Sequence, residues 1–112
     1  MKETFYSKSL AERWLSFSLD EQMGNMGADI GRAANAQNTD KKRSQISFEL
    51  GLELLNLTMK DPKNQTKLSE LNRLKEELIE CFLGENKRNL TSEYWNDYFY
   101  SYSVAAVAKY YK

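Results

Sequence analysis

The chain has 112 residues, enough for one domain around one core, since domains commonly run to about 100–150 residues. Sixteen Lys and Arg balance sixteen Asp and Glu, which removes both the basic excess of a general nucleic-acid binder and the acidic excess of a disordered chain. Histidine is absent, so Ser-His-Asp and Cys-His nucleophiles, two-histidine zinc sites and Glu-x-x-His di-iron sites are excluded together.

One proline and five glycines are too few turn signals for a many-stranded protein, so an all-α fold is expected. The first segment, Ser9 to Phe17, pairs Ser9 with Glu12 as a capping box and aligns Leu10, Trp14 and Phe17, predicting a short extra N-terminal helix. Ser18 and Glu21 form a second capping box. It opens a helix over 19–37, in which Met23, Met26, Gly27, Ile30, Ala33 and Ala34 recur at helical spacing. Glycine inside a helix costs about 1 kcal/mol relative to alanine, so Gly24, Gly27 and Gly31 need a reason. They predict a groove into which a bulky helix packs closely. Beside it, Asp29 and Arg32 stand three apart, either as a surface ion pair or with Arg32 partly buried and anchoring Asp97 or Glu93 of the last helix or a partner's carboxylate.

Asn38, Thr39 or Asp40 caps a helix over 41–60. Ile46, Leu50, Leu54 and Leu57 make one stripe and Phe48, Leu52, Leu55 and Met59 another, a wide face that predicts this helix to be the most buried. Asp61-Pro62 ends it, because proline cannot continue the hydrogen-bond ladder. Leu68, Leu71, Leu78 and Phe82 place a third long helix at 66–83, closed by Gly84. After a polar loop, Thr91 or Ser92 caps a helix over 92–110 that, with Tyr111 just past its end, carries eight of the fourteen aromatics. Short connections then favour an up-and-down antiparallel four-helix bundle, one helical domain over 1–112.

Cys81 has Glu76, Glu77 and Glu80 nearby, and negative charge raises a thiol pKa, so a buried, inert thiol is expected. With one cysteine and no charged start leading into an apolar run, a reducing, cytoplasmic setting is expected, and no stretch approaches the roughly 20 apolar residues that span a bilayer. The basic residues Lys41, Lys42, Arg43 and Arg88 could touch phosphate as an RNA-binding module, although neutral net charge argues against strong binding. Tyrosine is large, stiff and half-polar, which suits interfaces. Tyr94, Trp95, Tyr98, Tyr100, Tyr102 and Tyr110 are therefore the candidate interface, with a homo-oligomer or a protein partner expected and no cofactor.

Two resemblances add to this reading. Trp14, Glu21-Gln22, Asn25, Gly27, Asp29-Ile30-Gly31-Arg32-Ala33, Glu53-Leu54-Leu55-Asn56-Leu57-Thr58, Asp61-Pro62, Glu70-Leu71, Gly84 and Tyr98-Phe99-Tyr100 resemble an uncharacterised family of small prokaryotic helical proteins over roughly residues 14 to 106. That resemblance implies the fold and domain limits but no catalytic residue. In architecture the chain is similar to the bundles of HEPN and ribosomal intervening-sequence proteins, yet Arg32 has no histidine to complete a HEPN nuclease pair. Separately, Glu76, Glu77, Glu80, Glu93 and Asp97 resemble the carboxylate motifs of all-α nucleotide pyrophosphohydrolases, which implies a magnesium-dependent alternative. Asn96 stands where that motif wants aspartate. The leading expectation is a non-catalytic protein that acts by association.

Overall fold

The structure is a computed structural model that describes residues 8–108, the side chains of Lys8 and Leu10 excepted. Five helices run α1 (Lys8–Trp14), α2 (Leu19–Ala36), α3 (Lys41–Lys60), α4 (Leu68–Phe82) and α5 (Ser92–Ala108), with a 3₁₀ segment at Pro62–Lys67 and no strand among the described residues. The stripe position Leu10 and the tyrosines at 110 and 111 lie outside what is described.

Local chemistry sets most boundaries. Ser18 Oγ accepts from the Glu21 amide (3.1 Å) while Glu21 Oε1 accepts from the Ser18 amide (3.0 Å), closing the expected capping box. Of the three candidate caps for α3, Asp40 is the one used, its Oδ1 accepting from the Arg43 amide at 3.1 Å. Thr91 Oγ1 accepts from Tyr94 N (3.3 Å) and caps α5. Two expectations shift. Ser9 lies inside α1, which begins at Lys8, and α4 starts at Leu68 because Asp61 first caps the 3₁₀ segment through Oδ1 and the Lys63 amide (3.1 Å). The loop after α4 turns through left-handed Asn86 and Asn89 (φ 49° and 57°), a conformation asparagine tolerates better than most residues.

One core runs through the fold, built from Trp14, then Met23, Met26, Ile30 and Ala33 of α2, Phe48 and Leu55 of α3, Leu71, Leu74 and Leu78 of α4, and Trp95 and Phe99 of α5. The shared wall is α2. It packs extensively on both α3 and α5, whereas α3, expected to be the most buried, leaves Ile46 exposed and Leu50, Leu52 and Leu57 half-buried. Small residues explain the difference, since they let two neighbours close on α2 at once. A Cβ on Gly51 would stand 2.6 Å from Ile30 Cδ1, so α3 also reaches α2 over a glycine.

The α2–α5 seam has a clear register. A Cβ on Gly24 would meet Ser103 Oγ at 2.8 Å, one on Gly27 would meet Phe99 Cγ at 2.7 Å, and one on Gly31 would meet Asn96 Oδ1 at 2.9 Å. Numbers rise along α2 as they fall along α5. The predicted groove therefore holds the last helix, with the Phe99 ring seated against Gly27.

A second junction is polar. Gln22 is fully buried; its Nε2 donates to the Trp14 carbonyl (3.0 Å) and to Asp61 Oδ2 (2.9 Å), while its Oε1 accepts from Asn64 Nδ2 (2.9 Å). Asn64 Nδ2 also donates to the Thr58 carbonyl (2.9 Å), and the Trp14 indole donates to Thr58 Oγ1 (3.0 Å). Five residues thus tie α1, α2, α3 and the 3₁₀ segment together. Burial raises the Asp61 pKa, but hydrogen bonds from Lys63 and Gln22 and the charge of Lys63 outweigh it, holding the carboxyl below its ordinary 3.8. No buried side-chain polar atom among the described residues lacks a partner, as an interior of low dielectric demands.

Candidate functional site

Because α2 and the core claim one side of α5, its opposite side decides what the helix offers to a neighbour. Of the six predicted interface residues, Trp95 is a core residue at 1% exposure, and its indole N–H donates to Cys81 Sγ at 3.3 Å. The structure does not present it at the surface. Tyr94, Tyr98 and Tyr102 are half-buried and pack on one another and on the core: Tyr94 meets Trp95 edge-on at 4.9 Å, and Tyr98 lies 5.0 Å from Phe99 and 5.8 Å from Tyr102. Burial, with Tyr102 beside it, raises the Tyr98 phenol well above its ordinary pKa. Tyr100 alone of the described tyrosines is mostly exposed, and Tyr110 lies outside the described residues.

Pattern reading missed the other members of the exposed surface. Tyr100, Val104 and Val107 are 69%, 49% and 54% exposed, and they recur at four and three residues, so they share one side of the helix. With Ser103 and Ala108 they line a shallow groove of about 370 Å³. From Tyr98 to Ala108 the chain carries no charged residue. Val107 and Ser103 also border a second depression shared with Gly24 and the acidic first turn of α2, Asp20 and Glu21. The signal is in the sequence, since the Val104–Ala108 run is apolar nearly all round.

The remaining candidates have other occupations. Arg32, largely exposed, donates to Oδ1 of buried Asp29 within its own helix (2.5 Å), so the i, i+3 ion pair forms with its carboxylate end buried, and among the described residues Arg32 makes no ion pair with Glu93 or Asp97. Arg32 lines, with Asp40, Lys42 and Arg43, an open depression at the start of α3. Glu77 pairs with Arg88 (3.1 Å), which also lies 5.9 Å from the centre of the Tyr94 ring, and Glu80 Oε1 accepts from the Lys87 amide (2.7 Å). Those two carboxylates hold the α4–α5 loop. Among the described residues no three acidic, cysteine or histidine side chains converge where a metal ion could sit. Cys81 is buried, and desolvation, reinforced by Glu80 and opposed by the Trp95 hydrogen bond, raises its pKa, which keeps it a thiol. No helix among the described residues is long and apolar enough to cross a membrane.

In comparisons with known proteins, no family model, no curated protein and no solved structure matches this chain.

Proposed function

We propose that this all-helical domain acts by protein–protein association, as a homo-oligomer or an accessory subunit, using the outward side of α5 and no catalysis. A single observation carries the reading: an exposed stripe of Tyr100, Val104 and Val107 on a helix stretch without charge. Exposed apolar patches rimmed by polar residues mark interaction surfaces, and the acidic turn of α2 supplies part of such a rim. We take α2 to α5 to be an up-and-down antiparallel four-helix bundle; the opposed register of α2 and α5 supports this. A buried lone thiol suits a reducing cytoplasm, and the likeness to small prokaryotic helical proteins is part of the same proposal.

The stripe supplies only part of the roughly 800 Å² that each side of a standard interface buries. Association should therefore depend on concentration. Solution mass across a dilution series, with capture from lysate, tests the reading. Substituting Val104→Lys should abolish the mass increase or the capture while changing stability by no more than about 0.5 kcal/mol. A chain that stays monomeric and captures nothing overturns it.

A further inference from the structure

A second surface feature lies where the α2–α3 turn faces the end of α4. There a cleft of about 400 Å³ is lined by Phe48, Phe82 and Leu83 together with Gln37, Asn38 and Lys41. The apolar part is well defined. Phe48 is almost completely buried and stacks on half-buried Phe82 with ring centres 4.9 Å apart and planes at 20°, so Phe82 is held in place from behind. Leu83, 64% exposed, extends the apolar wall past the last turn of α4.

The polar part is uncommitted. Ser44 Oγ donates to the Ala33 carbonyl (2.7 Å) and Gln45 Nε2 to Glu49 (3.2 Å), but the side chains of Gln37, Asn38 and Lys41 hold no hydrogen bond to another described residue. Ligand sites combine an apolar lining with a few polar groups that fix orientation, in volumes of roughly 300–1,000 Å³. Among the described residues Lys41 is the one charged side chain on this lining. Its sign selects an anion, and the aromatic wall selects a flat ring.

We propose that the cleft binds a small aromatic carboxylate, its ring against Phe82 and Leu83 and its carboxylate on the Lys41 ammonium and the Gln37 and Asn38 amides. This site is independent of the α5 surface, and either can fail alone. The ammonium contributes a charge-assisted hydrogen bond that a neutral ligand of the same shape cannot use. Aromatic rings prefer an offset-stacked or edge-on approach, and either is compatible with a cleft open at one side.

The test is a titration of the isotope-labelled full chain with naphthoate, and with naphthylmethanol as its neutral counterpart, followed by backbone amide shifts. Expected are saturable shifts confined to residues 37–45 and 82–83 at millimolar or lower naphthoate, as the modest size of the ligand implies. Lys41→Gln, an exposed change that leaves the core untouched, should weaken naphthoate roughly five- to tenfold and leave naphthylmethanol unchanged. Shifts that do not saturate, that centre on Tyr100 to Val107, or that are as strong with the alcohol as with the acid overturn the proposal.

Discussion

The two flanks of α2 solve the same packing problem by opposite means. At its first turns, Gln22 is the hub of a buried network in which every contact is a directed hydrogen bond to Trp14, Asp61 or Asn64. Two residues further on, Gly24, Gly27 and Gly31 hold α5 by having no side chain at all. Directed bonds fix orientation and penalise any partner left behind, because an unpaired buried polar group costs about 1–3 kcal/mol. Bare backbone fixes distance instead. Its penalty appears only when something is added, and depends on whether the facing atom can move.

The largest effect expected from this contrast is at Gly27. Gly27→Val would drive a branched side chain into Phe99, whose ring is itself wedged against Trp95 (6.3 Å) and cannot retreat, so about 3 kcal/mol or more should be lost. Chemical denaturation followed by tryptophan fluorescence would read the loss and the detachment of α5; a stable, native-like variant would refute a seam set by backbone approach. On the polar flank, Gln22→Leu should cost about 1–3 kcal/mol despite its greater hydrophobicity, since it leaves one buried Asn64 N–H without an acceptor and removes one hydrogen bond each from the Trp14 carbonyl and Asp61, which keep Phe17 and Lys63 as partners. A thermal melt equal to the native one would show that the node is dispensable.

Acid should separate the flanks further. With its folded-state pKa below 3.8, Asp61 contributes stability that is complete above its unfolded value and disappears as pH falls from about 4 through the lower folded value. Asp61→Asn should therefore be destabilised near neutrality and show a shallower loss of stability between about pH 4 and 2; parallel curves would remove Asp61 as the group responsible. The smallest effect is expected at Gly31. Gly31→Ala meets only Asn96 Oδ1, the movable end of an exposed side chain, and should fall between neutral and about 1 kcal/mol more stable. Loss of more than 1 kcal/mol there would mean that the seam is as rigid at its end as at Phe99.

The glycine flank is legible in the sequence, because three interior glycines in one helix violate propensity and so announce a close neighbour. The polar flank is not, although it leaves a trace. Gln22 stands four residues before Met26 and eight before Ile30, and Thr58 four after Leu54, so each sits in a core register where an apolar residue belongs. Periodicity reports the address of a side chain but not its hydrogen-bond partners, which here come from 39 to 44 residues away in three of the links. The candidate interface was half legible for a related reason. Aromatic content marks α5 as unusual, yet the rings can satisfy one another, and it is Val104 and Val107 that remain uncovered.

By itself the sequence determined the helical elements, since caps, proline and apolar spacing act over three or four residues and need no distant partner. It also determined which chemistries are impossible, because a missing histidine is missing in every conformation. Only the tertiary structure decided that Trp95 points inward, that Gln22 is a hub and that Tyr100, Val104 and Val107 face outward. Those outcomes depend on which surface of each helix its neighbours occlude, and occlusion belongs to the packed molecule rather than to any local stretch of chain.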